Sequence, residues 1–304
     1  MPCYHPLTAY RSKQGRDPKT GKWPIVFNVK DGYSDLEVKI PCGKCIGCRL
    51  EKSRQWAIRC IHEASLYDKN CFITLTFDDD HLDPHKSLNK RDFQLFMKRL
   101  RKKYGEGIRF YHCGEYGSIN QRPHHHACLF NFDFPDKKLW TVRNGVPLYR
   151  SAELEKLWPF GFSTIGEVTF ESAAYVARYI MKKINGKKSF MHYAIIDKET
   201  GEYFGQRQPE YTTMSRRPGI GREWFEKFKG DIYPHDYVVI KKGLKCRPPA
   251  YYDRIYDLTD PEEFSRIKAR RRVRARNNKD NTPQRLKVKE MVKWSQISRL
   301  VRDL

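Results

Sequence analysis

The sequence predicts an α+β fold, in which a central antiparallel sheet carries flanking helices. Short strands with period-two alternation, such as Cys71–Phe77, lie between helices with an apolar stripe, such as Asn89–Tyr104. The strands are joined by turn residues and not by the long crossovers that parallel strands need. Hairpin-linked strands favour an antiparallel sheet with helices packed on one side of it.

The other elements follow from the same two periodicities. Helices are predicted at Arg49–Tyr67 and Leu154–Trp158, and a further strand at Phe162–Phe170. Residues 1–48 are expected to be poorly regular and residues 132–150 loop-rich, because Gly and Pro interrupt both. We expect a Cys-rich N-terminal segment with the start of the first helix, an α+β domain and a basic helical C-terminal region, at residues 1–60, 61–235 and 236–304.

The composition indicates a polyanionic partner. Lysine and arginine outnumber acidic residues by 59 to 36, a net charge of +23. Such an excess attracts nucleic acid first; a membrane surface, or solubility alone, is the other explanation. The 18 tyrosines add surfaces on which single-stranded bases stack. No run of 18 apolar residues occurs and the N-terminus lacks the apolar core of a signal peptide, so we expect a cytoplasmic protein.

Three cysteines form two overlapping Cys-x-x-Cys units at Cys42, Cys45 and Cys48. Thiolates at this spacing suit tetrahedral zinc, which needs a fourth ligand. Cys3 is the first candidate because it lies in an otherwise unanchored tail, and Cys60 and His5 are alternatives. The zinc would be structural and would hold a segment too polar to build its own core. An iron–sulfur cluster and free thiols are the competing interpretations.

Three consecutive histidines open a predicted strand. Side chains alternate along a strand, so His124 and His126 share one face and His125 points to the other. The preceding strand, Ile108–Cys113, is predicted to form a hairpin with this strand and to bring Glu115 near His124. A carboxylate beside two imidazoles suits Mg²⁺ or Mn²⁺. Histidines near a surface turn without metal, and an exposed turn position for Glu115, are the alternatives.

A later helix carries two tyrosines. Ser172 is its expected N-cap, and Tyr175 and Tyr179 are four residues apart, about 6 Å along the helix axis. Beside a metal, two phenols on one face can each reach the same phosphate, and Lys182 and Lys183 follow one turn later to steady it. Two amphipathic core tyrosines are the alternative interpretation.

Two basic clusters lie further along the chain. Arg216 and Arg217 occupy a Pro/Gly turn that suits phosphate contacts or is simply solvated. The stretch from Asp260 has the pattern of a helix start, and Pro283 opens a second helix. Between them, arginines surround the helix and cannot form a packed face. They are either solvated or in contact with a polyanion, and we favour DNA for Arg270, Arg271, Arg272, Arg274 and Arg276.

Six motifs occur in one order along the chain: Cys42–Arg49, Thr74–Phe77, Gly114–Gly117, Arg122–His126, Ala173–Tyr179 and Met214–Gly221. This order resembles that of the replication initiation proteins of microviruses, the gokushovirus branch in particular, and so of the HUH endonucleases that initiate rolling-circle replication. The resemblance spans about residues 1–230, and His125 stands where the family usually has a bulky hydrophobic residue.

The resemblance implies a small central sheet with the metal strand in its middle and the tyrosine helix nearby. It further implies an endonuclease that nicks single-stranded DNA at a phage origin by metal-assisted tyrosine transesterification, leaving a 5′-phosphotyrosine and a 3′-hydroxyl primer, and later rejoins the strand. The expected partners are single-stranded and replicative-form DNA and the host helicase and polymerase, in the host bacterial cytoplasm. A non-enzymatic zinc-containing DNA-binding protein is the main alternative, and a nuclease that hydrolyses with water is a second.

Overall fold

The computed structural model describes residues 3–18, 21, 23–117, 120–179, 183–184, 186–197, 199–240, 243–276 and 280–299. Its strands are β1 (Leu7–Ser12), β2 (Ile25–Val26), β3 (Gly32–Ile40), β4 (Asn70–Thr76), β5 (Arg109–Tyr116), β6 (Pro123–Phe130), β7 (Lys138–Arg143), β8 (Val146–Arg150), β9 (Ser163–Gly166), β10 (Ala194–Ile196), β11 (Tyr203–Gln206), β12 (Tyr211–Met214), β13 (Val238–Val239) and β14 (Lys245–Cys246). Its helices are α1 (Ile46–Ala64), α2 (Lys90–Tyr104), α3 (Ala152–Leu157), α4 (Phe170–Tyr179), α5 (Lys187–Tyr193), α6 (Arg222–Ile232), α7 (Ala250–Thr259), α8 (Pro261–Arg276) and α9 (Pro283–Ser298).

The chain divides into two compact units. One combines the residues up to Lys52 with those from Arg271 onward, and the other is formed by Ser53–Arg270. In the first unit, β1 pairs with β2 and β3 in an antiparallel sheet. The expectation that residues 1–48 are poorly regular is therefore wrong. Gly15 and Gly21, at φ values of 83° and 63°, lie between β1 and β2, so the breakers mark a connection within this sheet.

The second unit is built on a seven-stranded sheet of order β12-β5-β6-β4-β9-β8-β7, in which every neighbouring pair is antiparallel. The prediction of an α+β fold with an antiparallel sheet is confirmed, and the sheet is larger than the small one that the resemblance implied. Strand β6, which carries the three histidines, lies between β5 and β4. Its side chains therefore have neighbours on both sides, and the register of these two pairings decides which residues meet.

One face of the sheet packs on α2 and α3. Ile73 and Leu75 of β4 and Leu129 of β6 are buried there against Phe96 of α2 and Trp158, which follows α3. We call this the core face. The amphipathic pattern that predicts α2 is the pattern that covers this face, and Asn89 caps the helix by accepting a hydrogen bond from the Arg91 N–H at 2.9 Å.

The opposite face, which we call the site face, is covered by α1 and α4 where β5 and β6 lie. The expectation that helices pack on one side of the sheet is therefore wrong. Both helices present small residues, including Ala57 and Ala173, to Tyr111 and Cys128 of the sheet. Ser53 joins the two helices, since its hydroxyl donates to the carbonyl oxygen of Ala174 at 2.9 Å. Small side chains let a helix approach a sheet closely, and this brings α4 down onto the histidine strand.

Strands β7 and β8 correct the expectation that residues 132–150 are loop-rich. They form a hairpin in which Arg143 pairs with Val146 across a two-residue turn. The turn residues, Asn144 and Gly145, both have positive φ values, 51° and 77°. Asn-Gly is the preferred pair for this kind of tight turn, so the sequence carried a hairpin signal that the Gly/Pro argument overlooked.

The start of α4 also differs from the prediction. The strand expected at Phe162–Phe170 ends at Gly166, and the helix begins at Phe170 and not after Ser172. Thr169 accepts a hydrogen bond from the Ser172 N–H at 3.1 Å, and the Ser172 hydroxyl accepts one from the Thr169 N–H at 2.8 Å. Thr169 is thus the cap, and Ser172 is its reciprocal partner inside the first turn.

The C-terminal helices begin where their caps predict. The Asp260 carboxylate accepts a hydrogen bond from the Glu263 N–H at 3.0 Å at the start of α8, and Thr282 caps α9. The helix α7 just before them was not predicted. No helix within the described residues is both long and apolar enough to span a lipid bilayer.

Candidate metal and nucleophile site

The register of β5, β6 and β4 brings the predicted metal ligands together. Glu115 pairs with His124 and Cys113 with His126 across β5 and β6, while Thr74 pairs with His126 across β4 and β6. Residues paired in this way project from the same face of the sheet. Glu115 lies within β5 and is only 1% exposed, so it is not the exposed turn residue of the alternative interpretation.

Glu115, His124 and His126 converge on one point, and we call them the metal group. The Oε1 of Glu115 lies 2.8 Å from the Nε2 of His124 and 3.0 Å from the Nε2 of His126. One ligand atom from each residue lies within 4.8 Å of the others, so a single ion can contact all three. Burial disfavours the charge of Glu115, but hydrogen bonds from both imidazoles outweigh burial and lower its pKa.

The outer nitrogens of the two histidines are held by the surrounding backbone and side chains. The Nδ1–H of His124 can donate to the carbonyl oxygen of Arg122 at 3.0 Å. If a metal ion displaced the proton that Nε2 shares with Glu115, the Nε2 lone pair of the neutral ring would face that ion. The Nδ1 of His126 lies 3.0 Å from the hydroxyl of Thr74. Such partners orient metal-binding imidazoles in proteins, so the donor set fits a divalent metal ion.

His125 points to the core face, away from the metal group. It is fully buried, and its ring meets Phe77 and Trp158 edge-on at centroid distances of 5.9 and 5.6 Å. Its Nδ1 lies 3.1 Å from the Nε2 of His112, and burial lowers the pKa of His125 to about 3. A neutral imidazole thus fills a core position, which accounts for its presence where a bulky hydrophobic residue was expected.

Tyr175 lies over the metal group on α4. Its half-buried ring meets the His126 ring edge-on at a centroid distance of 5.1 Å and lies 6.5 Å from the ring of Phe72. Tyr179 is the last residue of α4, but its side chain lies outside the described part of the structure, as does Lys182. Lys183 is described and half-buried, and the described contacts do not link it to the metal group.

The four predicted cysteines form a second group in the other unit. The Sγ atoms of Cys3, Cys42, Cys45 and Cys48 lie within 4.8 Å of one another. The Cys42 N–H donates to the Cys3 sulfur and the Cys45 N–H to the Cys42 sulfur, both at 3.3 Å. Burial opposes ionisation of Cys45, yet hydrogen bonds, chiefly from the Tyr4 and Cys48 N–H groups, lower its pKa to about 7. The group can therefore hold a metal.

The two alternative ligands lie elsewhere. The Nε2 of His5 is 2.6 Å from a carboxylate oxygen of Glu290. Cys60 is buried on α1 among apolar side chains of the site face, with Ala57 and Cys128. Neither belongs to the sulfur cluster, and Cys3 completes the set of four.

The described basic residues that were expected to bind DNA are exposed or half-buried. Arg216 and Arg217 are exposed in the turn after β12. On α8, Arg270 donates to the carbonyl oxygen of Pro234 at 3.2 Å. Arg271 is half-buried and Arg272 and Arg274 are exposed, whereas the side chain of Arg276 lies outside the described part.

Sequence reasoning missed the supports of the site. Thr74 holds His126, and Arg122 donates to the carbonyl oxygen of Phe77 at 2.7 Å and pairs with Asp79. Thr74 belongs to the Thr74–Phe77 motif, so its polar side chain within a core strand was the available signal. The position of Arg122 depends on a contact across 45 residues, for which periodicity carries no information.

Comparison with known proteins now defines the class. The family described as replication-associated protein ORF2/G2P matches residues 70–184, a range that includes the metal group and Tyr175. No solved structure matches the chain.

Two curated phage proteins resemble almost the whole chain. Replication-associated protein VP4 of Bdellovibrio phage phiMH2K is 34% identical over 286 residues, which cover 91% of this chain and 84% of the relative. Replication-associated protein ORF2 of Spiroplasma virus 4 is 32% identical over 282 residues, which cover 87% and 83%. The chain belongs to this family of phage replication-associated proteins, and the resemblance to the microvirus replication initiators is confirmed.

Proposed function

We propose that the protein initiates phage DNA replication by nicking and rejoining single-stranded DNA, as an HUH endonuclease does. The observation that carries the proposal is the position of Tyr175, whose ring packs edge-on against His126 of the metal group at 5.1 Å. A carboxylate, two imidazoles and a phenol on one face of a sheet are the parts that a metal-assisted tyrosine transesterase needs. The membership in a family of phage replication-associated proteins supports DNA as the substrate.

Glu115, His124 and His126 would hold Mg²⁺ or Mn²⁺, which when bound polarises the scissile phosphate and stabilises the charge that grows on its oxygens. The phenolic oxygen of Tyr175 or Tyr179 attacks phosphorus and gives up its proton. A bond from that oxygen to phosphorus forms, the bond from phosphorus to the 3′ oxygen breaks, and the departing oxygen takes up a proton as a 3′-hydroxyl, so no net proton is gained or lost. The protein is then joined to the 5′-phosphate.

This chemistry suits rolling-circle replication. The free 3′-hydroxyl primes the host polymerase, and the host helicase opens the replicative-form DNA. Because one phosphodiester replaces another, the bond energy is kept and the strand can be rejoined. After one round the second tyrosine attacks the regenerated junction and frees a new 3′-hydroxyl. That hydroxyl attacks the first phosphotyrosine, which rejoins the strand and releases the first tyrosine. Lys182 and Lys183 would steady the phosphate during these transfers. These steps would take place in the host bacterial cytoplasm.

The cysteine group would hold structural Zn²⁺. Four sulfur ligands in a closed set match a structural zinc site and leave no open position for substrate. Zinc would fix the N-terminal tail to the loop before α1, since Cys3 is the ligand from the tail. The arginines of α8 and of the turn after β12 would contact phosphates of the DNA.

A labelled single-stranded oligonucleotide from the replicon's candidate origin tests the proposal. With Mn²⁺, a denaturing gel should show a covalent protein–DNA band that EDTA abolishes. The single variants Tyr175→Phe and Tyr179→Phe should each retain some nicking, because the other phenol remains. The double variant should lose nicking by a factor on the order of 10³ or more.

Tyr203→Phe, at an exposed position on β11, is the matched control and should nick like the wild type. Full nicking by the double variant would refute the role of the tyrosines. Cleavage without a covalent band would indicate a nuclease that hydrolyses with water, and binding without cleavage would favour a non-enzymatic DNA-binding protein.

A further inference from the structure

The site face extends well beyond the metal group. Thr74 pairs with Thr164 across β4 and β9, so the face continues from β6 over β4 to β9. Phe162 lies two residues before Thr164 and, by alternation, on the same face. Its carbonyl oxygen accepts a hydrogen bond from the Thr76 N–H at 2.9 Å, and Thr76 is the partner of His124.

Strands β8 and β7 continue this face. A Cβ added to Gly166 would contact the side chains of both Phe72 and Leu148, at 3.7 and 3.8 Å, which places Leu148 of β8 on the side of Phe72 and His126. Beyond it, Trp140 of β7 lies at an irregularity in the strand pairing, and its ring meets Phe162 edge-on at 5.2 Å. Both rings are therefore on the site face.

These two aromatic residues are open to solvent and are accompanied by guanidinium groups. Trp140 is 43% and Phe162 40% exposed. The guanidinium carbon of Arg150 lies 4.8 Å from the centre of the Phe162 ring, and that of Arg143 lies 5.8 Å from the centre of Trp140. Arg150 is also paired with Glu155 at 2.7 Å, which holds its guanidinium group beside the ring.

Exposed rings beside guanidinium groups match the chemistry of a single strand of nucleic acid. Bases stack on aromatic side chains regardless of sequence, and arginines attract the phosphates between them. In a chain with a net charge of +23, a polyanion is the occupant that charge complementarity favours. An apolar protein partner would find two cations beside the rings, whose desolvation it could not compensate.

The distance to the metal group suits a continuous strand of DNA. Neighbouring strands of a sheet are spaced by about 4.8 Å, so Phe162, beside β9, is about 10 Å from β6, and β7 is about 19 Å from it. We propose that Trp140 and Phe162, flanked by Arg143 and Arg150, form a stacking platform for bases a few nucleotides to one side of the scissile phosphate. The position relative to the scissile phosphate rests on the proposed nicking function.

Binding without added Mn²⁺ tests the platform without cleavage and leaves the proposed structural zinc in place. The Trp140→Ala/Phe162→Ala variant should bind an origin oligonucleotide about 10- to 100-fold more weakly in fluorescence anisotropy, because each stacked base contributes substantially to affinity. Trp140→Phe should retain most of the affinity, since it keeps a ring. The matched control is Leu139→Ala/Val142→Ala, on the other face of the same hairpin, where the two residues are 60% and 56% exposed and pair with Tyr149 and Pro147.

Oligonucleotides shortened from either end locate the platform. The wild type should lose affinity when nucleotides are removed on one side of the nick, and the Trp140/Phe162 variant should not distinguish these lengths, because the two losses report one interaction. Equal binding by the wild type and this variant, with normal nicking by both in Mn²⁺, would overturn the platform and leave the proposed function intact. If the wild type never nicks but still binds more tightly than the Trp140/Phe162 variant, the platform is supported and the nicking proposal is overturned.

Discussion

At the scale of single residues, several histidines are built into the protein as neutral rings. His62 of α1 is stacked on Trp224 at a centroid distance of 3.4 Å, and its Nδ1 lies 2.9 Å from the hydroxyl of Tyr252. Burial lowers the pKa of His62 to about 3. His112 and His125 on the core face are shifted in the same direction by burial. These positions use the flat ring of histidine for packing and exclude its charge.

Because these histidines are buried as neutral rings, the protein should become less stable as the pH falls. The unfolded chain takes up a proton on His62 below about pH 6.5, whereas the folded protein does so only near pH 3, so unfolding is favoured as the pH falls through this window. When the pH is lowered from 7 to 5, His62 alone should lower the free energy of unfolding by about 2 kcal/mol. His62→Gln should therefore lose about 2 kcal/mol less than the wild type over this interval, as measured by urea unfolding at both pH values.

The measurement compares how much unfolding free energy each of the two proteins loses between pH 7 and pH 5. His62→Gln also loses packing on Trp224, which lowers stability at every pH and cancels between the two measurements. His112 and His125 titrate equally in both proteins and cancel as well. If the two proteins lose the same free energy between pH 7 and pH 5, His62 is protonated in the folded state and the argument from burial is wrong.

At the scale of elements, the same substitution should have opposite signs at two glycines. Gly145 has a φ of 77° in the β7–β8 turn, where a Cβ is strained, so Gly145→Ala should destabilise by about 1 kcal/mol. Gly230 lies in α6 with no heavy atom within 4 Å of an added Cβ. Gly230→Ala should stabilise by roughly 0.5–1 kcal/mol, because alanine loses less conformational entropy in a helix. Urea midpoints for both variants check the pair.

The two glycine variants also test the β7–β8 hairpin and its part in DNA binding. If Gly145→Ala is neutral, the turn does not hold the positive φ, and the β7–β8 hairpin is not formed as described. Because Trp140 lies on β7, Gly145→Ala should also weaken binding of single-stranded DNA, whereas Gly230→Ala should leave it unchanged.

Elements with one buried face could be predicted from the sequence, and elements without one could not. The alternation that places His124 and His126 on one face is fixed by strand geometry, and α2 shows a clear apolar stripe. Strand β3 is exposed along most of its length, so its sequence has no alternation to detect. The pairing of the strands could not be predicted either. The side-chain hydrogen bond between Thr74 and His126 joins residues that are 52 apart in the sequence, and no local pattern encodes the register that brings them together.

The metal group shows the same division. The residue types and the turn before His124 indicated a hairpin that brings Glu115 close, because the two strands are adjacent in sequence. The approach of Tyr175 to His126 depends instead on Ala173 and Ala57, which let α4 and α1 pack closely on β5 and β6. Alanines in a helix are equally consistent with an exposed surface, so the sequence alone left the role of the tyrosines undecided between a site and a core.

At the scale of the whole molecule, the net charge of +23 should make DNA binding strongly dependent on salt. Each phosphate contact with single-stranded DNA adds about 0.7 to the slope of log affinity against log salt concentration. Replacing Arg272 and Arg274 of α8 by Gln should therefore lower the slope by about 1.4, as should replacing Arg216 and Arg217 of the turn after β12. Anisotropy titrations between about 50 and 300 mM salt measure the slopes of both variants.

The control must remove the same charge from a surface that faces away from the site face. Lys98 and Lys102 are exposed on α2, which packs on the core face. Their replacement by Gln lowers the net charge by two, as each arginine pair does, and should leave the slope within about 0.3 of the wild type, since distant exposed charges are screened by salt. If the lysine pair lowers the slope as much as the arginine pairs, the affinity follows the total charge of the protein. If only one arginine pair lowers it, the other pair is solvated and the DNA path passes over the unit whose arginines respond.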